Sequence, residues 1–265
     1  MPEGRVTRGT TGTNRLRRID RWVATLPVVR RSPDPLVVDL GYGASATTPL
    51  ELHQRLARAR PDVEVIGIEI DPSRVAIARL SERPGVTFRL GGFEVPLPDR
   101  RTAAVIRALN VLRQYDEHEV TGYWHRMVAR LQPGGVLVEG TCNEIGRVCS
   151  WVDVTREGPQ SLTVSLRLAQ LERPSIVAER LPKILIHRNV PGERIHDLIE
   201  SLDRHWQLNA PLGVYGPSQR WIATAKGLLA DGWPVIGGSS RWKLGELTVA
   251  WACVEPTGFS WTRSN

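Results

Sequence analysis

Between Leu36 and Thr141, short apolar runs alternate with segments of helical spacing, and this alternation is the strongest constraint on what the chain can fold into. The runs are Leu36 to Leu40, Val63 to Ile68, Val86 to Leu90, Ala103 to Arg107 and Val136 to Thr141. Each is bounded by turn-forming or charged residues and is too short for a buried helix, so each reads as a parallel strand covered on both faces. Strands separated by helices join through right-handed crossovers, which predicts a doubly wound α/β sheet. The intervening helices carry their own signals. Thr48-Pro49 offers a cap and a first-turn proline for a helix to Arg60, and Asp71-Pro72 repeats the device for a helix to Leu80. Val120, Trp124, Met127 or Val128, and Leu131 mark the buried stripe of a helix from about Asp116 to Leu131.

The flanks are less regular. Ile19, Trp22, Val23 and Leu26 predict a short amphipathic helix, ended by Pro27, Pro33 and Pro35. Beyond Gly146 a hairpin is expected from Val148 to Val154 and Leu162 to Leu168, around Glu157-Gly158-Pro159. Helices follow from Glu193 to Trp206 and from Ser218 to Ala230, the second with Ser218 as cap and Gly232 past its end, before a last strand from Leu247 to Val254. The expected division is a basic arm and helix over residues 1–34, a ligand-binding core over 35–145, and a sheet edge with a substrate-side helical cap of the same domain over 146–265.

Composition narrows the function classes. The net charge of +7 suits an anionic partner, and the arm concentrates it in Arg5, Arg8, Arg15, Arg17, Arg18, Arg21, Arg30 and Arg31. A nucleic acid on this arm is one expectation; a solvated or packing segment is the other. Nine tryptophans include the pairs Arg21-Trp22, Arg220-Trp221 and Arg241-Trp242, which read as packing anchors in preference to base-stacking platforms. Cys142, Cys149 and Cys253 form no CxxC pair, so neither a disulfide framework nor a zinc site is expected. No apolar run is long enough for a membrane span, and the expected location is the cytoplasm.

The chemistry centres on the strand ending in Asp39-Leu40-Gly41-Tyr42-Gly43 and on Glu69 at the end of the next strand. Gly41 and Gly43 allow a backbone to approach a ligand closely, and Glu69 offers two oxygens to a ribose diol. A nucleoside ligand is therefore expected. Gly41-x-Gly43-x-x-Ala46 also reads as a degenerate dinucleotide fingerprint, which keeps an NAD(P)-binding oxidoreductase as an alternative. Asp39 weighs against it, because a carboxylate beside a pyrophosphate is repelled, whereas beside an ammonium or sulfonium it is favoured.

The segment Val37-Val38-Asp39-Leu40-Gly41-Tyr42-Gly43-Ala44-Ser45 resembles the first motif of the class I S-adenosylmethionine-dependent methyltransferases, with Ser45 at the third glycine. Ile66-Gly67-Ile68-Glu69-Ile70-Asp71-Pro72 is similar to the second motif, Leu90-Gly91-Gly92-Phe93-Glu94-Val95-Pro96-Leu97 to the third, and Leu131-Gln132-Pro133-Gly134-Gly135-Val136-Leu137-Val138-Glu139 to the one before the fifth strand. The resemblance covers roughly residues 35 to 145. It implies a Rossmann-like, mostly parallel seven-stranded sheet with the last strand antiparallel, S-adenosylmethionine as cofactor, and transfer of its methyl group to an acceptor, small molecule or RNA, that it does not name. The cofactor-binding residues it implies are Asp39, Gly41, Tyr42, Gly43, Glu69, Ile70, Gly92, Phe93 and Asn110. Asp39 would orient the ammonium and Glu69 would hold the ribose. Gly92 stands where the family commonly has an adenine-facing carboxylate, which leaves adenine to backbone and to Phe93.

No catalytic residue follows from these motifs. Thr141-Cys142 is similar to the Thr-Cys segment of RNA cytosine-C5 methyltransferases, but Arg107-Ala108-Leu109-Asn110-Val111 lacks the Pro-Cys pair of those enzymes, so Cys142 reads as a small pocket-lining residue. Glu139, Glu144 and His187 are candidate bases, and Glu144 and Arg147 candidate acceptor contacts. A noncatalytic nucleic-acid-binding protein on the same fold is a further alternative.

Overall fold

The computed structural model describes residues 2–261. One sheet of nine strands runs through the molecule in the order β3-β2-β1-β4-β5-β6-β7-β9-β8. Its parallel half comprises β1 (Leu36–Leu40), β2 (Glu64–Glu69), β3 (Val86–Leu90), β4 (Ala103–Leu109) and β5 (Leu131–Cys142). Here apolar runs met on both faces give buried strands, as at β1 and β4, where every residue is buried. The fold class is the doubly wound α/β class expected from the alternation.

The antiparallel half departs from the expected seven strands with a single antiparallel one. β6 (Val148–Thr155), β7 (Gly158–Leu166), β8 (Val235–Ile236) and β9 (Glu246–Ala250) extend the sheet beyond β5, all antiparallel. The two-residue β8 carries no periodicity that a sequence could display. β9 is shorter than the run Leu247 to Val254, because the chain turns into a 3-10 segment at Trp251–Cys253 and buries Trp251.

Helices α1 (Arg17–Val23), α2 (Pro27–Arg31) and α3 (Thr47–Leu56) cover one face, where Ile19, Val23, Val29, Leu52 and Leu56 pack with Val37, Val105 and Trp151. Pro27 does not end a helix but starts α2, since a proline at the first helical position loses no hydrogen bond. α4 (Pro72–Arg79) lies against β2 and β3, its start fixed by Asp71, which accepts from the Ser73 amide at 2.8 Å. The opposite face carries α5 (Glu117–Val128), α6 (Lys183–Ile186), α7 (Arg194–Leu208), α8 (Pro217–Ala230) and α9 (Ser239–Trp242). Their core includes Trp124, Trp206, Trp221, Trp242 and Trp251. At about 25 cal/mol per Å² of apolar area, such side chains dominate the burial energy of a face, so most of the tryptophans are anchors.

Two expected caps are spent elsewhere. α3 begins at Thr47 without a side-chain cap, and the Thr48 hydroxyl instead donates to Asp39 at 2.7 Å. α8 begins at Pro217, and Ser218 donates to the Lys243 carbonyl at 3.2 Å. The Pro133-Gly134-Gly135 turn lies within β5 as an irregularity: Ala103 faces Leu131 but Val105 already faces Val136. Among the described residues, no helix is long and apolar enough to cross a membrane.

Candidate functional site: a nucleoside cleft crossed by the arm

The strand order reverses between β1 and β4, and the crevice outside their carboxyl ends is where an open α/β sheet binds ligands. Here it is a cavity of about 340 Å³, lined among others by Asp39, Gly41, Tyr42, Gly43, Leu109, Asn110 and Val111. Gly41 and Gly43 both adopt left-handed φ, 71° and 86°. A side chain at either would be strained by conformation and by contact, with Val111 at Gly41 and with the Gly9 backbone at Gly43.

Glu69 ends β2 beneath this turn and is 1% exposed. Its Oε2 accepts from the Gly43 amide at 2.9 Å, and its Oε1 from the Ile70 and Asp71 amides at 3.0 and 3.3 Å. An ionised carboxylate has about four acceptor positions, so one on Oε2 is left for a ligand hydroxyl.

Asp39, expected to orient a ligand ammonium, lines the cavity and is at the same time held within the fold. Both of its oxygens are engaged by Arg107, at 2.9 Å from Nε and 2.7 Å from Nη2, and Oδ2 also takes the Thr48 hydroxyl. Arg107 is itself fully buried and bonds Asp20 through Nη1 and the Thr48 carbonyl at 3.2 Å. Burial pulls this guanidinium down, but Asp39 and Asp20 more than offset it and hold Arg107 above its ordinary value. Arg55 closes the cluster on the second oxygen of Asp20 and on Glu51, the latter at 3.0 Å. Asp39 thus anchors the cleft floor to α1, β4 and α3. Arg107 was overlooked in the sequence because it sits in an apolar run; a charged residue at a buried strand position, beside the acidic end of β1, was the available signal.

The arm lies in the cleft itself. The Phe93 amide donates to the Glu3 carbonyl at 2.9 Å, the Glu3 amide to Glu94 at 2.8 Å, Arg74 to the Thr7 carbonyl at 2.9 Å, and the Ala44 amide to the Gly9 carbonyl at 3.0 Å. Arg5 donates its amide to the Tyr115 hydroxyl at 2.5 Å, sets its guanidinium 5.0 Å from that ring, and pairs with Glu119 at 3.1 Å. In consequence the slot formed by Glu69, Ile70, Gly92, Phe93 and Val111, lined also by Glu3, Gly4, Arg5 and Thr7, retains only about 20 Å³. Gly92 faces the arm backbone and has no room for a side chain.

The remaining candidates are distributed as follows. Asn110, at φ 63°, bridges β4 to β5: its amide oxygen accepts from the Cys142 amide at 3.0 Å and its nitrogen donates to the Cys142 sulfur at 3.3 Å. Cys142 is fully buried, does not line the cavity, and faces Cys149 across β5 and β6. Glu139 is fully buried on the α5 side of β5, and among the described residues neither of its oxygens has a hydrogen-bond partner. His187 lies exposed at the end of α6, 3.1 Å from Lys183 Nζ and away from the cleft. Glu144 does line it, whereas Arg147 does not. The helices α6 to α9 contribute no residue to the cavity wall; among the described residues past β7, only Arg180 reaches it.

The arm's cations are largely committed within the fold. Arg15 donates to the carbonyls of Thr10, Asn143 and Cys142, Arg18 to Ser165 and Leu244, and Arg21 to Glu246 at 2.7 Å. Arg241 also pairs with Glu246, and Arg220 stacks 3.8 Å above Trp206. The Arg-Trp pairs are thus used in packing and do not present a base-stacking face.

No protein-family model matches the chain, and no curated protein matches it. Solved structures do. Human N-acetylserotonin methyltransferase, in complex with SAM, is similar at 23% identity over 47% of this chain and 33% of that chain, with a TM-score of 0.36. The CcbJ methyltransferase of Streptomyces caelestis is similar at 21% identity over 60% and 68%, TM-score 0.36. The N-methyltransferase NodS of Bradyrhizobium japonicum is similar at 20% over 47% and 66%, TM-score 0.35. The likeness takes in a third of the human enzyme's length, 33%.

Proposed function

We propose that the chain is an S-adenosylmethionine-dependent methyltransferase whose nucleoside slot is held by its own arm until the cofactor displaces it. The observation that carries this reading is the Glu69 carboxylate bonded to the Gly43 amide at 2.9 Å. A pyrophosphate would need that amide, and would meet a buried carboxylate in its place. A ribose diol needs only the acceptor position that Oε2 retains. The donor set therefore fits a phosphate-free nucleoside better than a dinucleotide, and Ile70 and Phe93 supply apolar walls for its base.

When bound, the cofactor supplies an electrophilic methyl group on a sulfonium. The chain's own residues then hold and align. Gly41 and Gly43 admit the methionine part, Glu69 holds the ribose, and Asn110 fixes the spacing of β4 and β5 at the acceptor side. Glu144 is the cleft-lining carboxylate outside the Arg107 cluster and can take a proton from an acceptor that must lose one. Direct displacement asks little more of a protein than this alignment.

Isothermal titration with S-adenosylhomocysteine is expected to give saturable binding, weakened at least about tenfold by Glu69→Gln, with none for NAD or NADP. Binding of NAD(P) without S-adenosylhomocysteine would overturn the reading. Removing residues 2–11 is expected to tighten S-adenosylhomocysteine by about tenfold, because the competent fraction of open slots rises. An unchanged or weaker Kd in that variant would show that the arm does not compete with the nucleoside.

A further inference from the structure

Positive charge predominates on the walls of the 340 Å³ cavity. Arg8, Arg15, Arg113 and Arg180 line it, against the carboxylates of Asp39 and Glu144. Asp39 is taken by Arg107, and Arg15 is spent on backbone carbonyls. Arg113 and Arg180 are different. Arg113 lies in the 3-10 turn Leu112–Gln114 that follows β4, and Arg180 ends the 3-10 segment Pro174–Arg180.

Both are placed by backbone bonds. The Arg180 carbonyl accepts from the hydroxyls of Thr141 on β5 and Ser150 on β6, which fixes the end of its segment to the sheet. Arg113 Nη1 donates to the adjacent Glu179 carbonyl at 3.1 Å, which brings the two arginines together. Burial and then the charge of Arg180 pull the Arg113 guanidinium below its ordinary value. Among the described residues neither arginine forms an ion pair: Glu179 acts on Arg113 as a neighbouring charge only. Two neighbouring like charges on a cavity wall repel each other and an anion between them relieves the repulsion, and the planar guanidinium fork matches a carboxylate or phosphate in two-point contact.

We propose that the methyl acceptor is a small acidic molecule whose carboxylate or phosphate docks between Arg113 and Arg180. The word acceptor rests on the methyl-transfer reading; the anion site does not. A small molecule is favoured over a polymer because the cavity, about 340 Å³, is at the lower end of the range for small ligands.

The probes are inorganic phosphate, benzoate and the neutral isostere benzamide, titrated into the intact protein by calorimetry at low salt. At least one of the two anions is expected to bind saturably, and the one that binds identifies the acid. Benzamide is expected not to bind. Arg180→Gln and Arg113→Gln are each expected to weaken the anion at least tenfold with unchanged circular dichroism, Arg180→Lys less so, and Arg31→Gln on the outer surface not at all. Equal binding of benzamide, unaltered binding by both glutamine variants, or displacement of the anion by a tighter mixed-sequence RNA would overturn the proposal. S-adenosylhomocysteine titrated into the same wild-type sample separates the two readings: anion uptake without it leaves this site standing and sinks methyl transfer alone.

Discussion

Arg107→Ala is expected to lower the free energy of unfolding by about 3–5 kcal/mol, measured by urea denaturation at neutral pH. Arg107 is fully buried, and its removal leaves Asp20 and Asp39 buried at 0% and 2% exposure with their common counter-charge gone. Arg55 reaches Asp20 but not Asp39, so the loss at the Gly-rich turn has no substitute. The cost belongs to the uncompensated acids and not to the lost arginine as such. Arg107→Met combined with Asp20→Asn and Asp39→Asn should therefore recover most of the stability, which would separate charge burial from a simple packing defect. A loss below about 1 kcal/mol in the single variant would mean that water or a rearranged side chain reaches the cluster. Because the same Asp39 supports the turn that carries Gly41 and Gly43, S-adenosylhomocysteine binding is expected to weaken alongside.

The second large effect is a pH dependence. Burial, partly countered by the nearby Trp124 indole, pushes the Glu139 carboxyl from 4.5 up to about 8. The folded chain therefore keeps a proton on Glu139 that the unfolded chain has lost, and the stability this proton supports is intact below about 4.5. Between about 4.5 and 8 the unfolding free energy falls by about 1.4 kcal/mol per pH unit from this group, and above 8 it levels off. Summed over the window the loss is roughly 5 kcal/mol. Glu139→Gln keeps the shape and holds no titrating proton, so its stability curve should lack this slope and lie increasingly above the wild type as pH rises from 5 to 8. Parallel curves for the two proteins would show that Glu139 is not buried in the neutral form. Glu139 does not line the cavity; the same measurement bears on whether it belongs to the core alone.

How much of this was legible beforehand differs by kind of feature. The parallel half of the sheet follows from local pattern, because five-residue apolar runs between amphipathic helices have one economical way to bury both faces. The turn Gly41 to Gly43, Glu69 beside it, and the cap at Asp71 follow for the same reason: each depends on residues close in sequence or on adjacent parallel strands. Three of the four antiparallel strands, β6, β7 and β9, were legible as apolar runs. β6 and β7 alternate visibly, whereas β8 exists only because Val235 and Ile236 meet Val249 and Thr248.

The features that decide the site were not local. Arg107 and Asp20 are separated by 87 positions, and Glu3 meets Arg126 across 123. Nothing in a periodicity links such pairs, and their energies come from burial that exists only once the sheet has formed. By itself the sequence determined a doubly wound sheet with a Gly-rich turn and a neighbouring carboxylate. Only the tertiary structure decided that Asp39 is paired with Arg107, that Glu69 holds the Gly43 amide, that the arm lies in the slot, and that Arg113 and Arg180 share a cavity wall. The physical reason is range: backbone conformation is set by neighbours a few residues away, while the charge and free volume of a cleft are set by whichever distant segments the packed sheet brings to its edge.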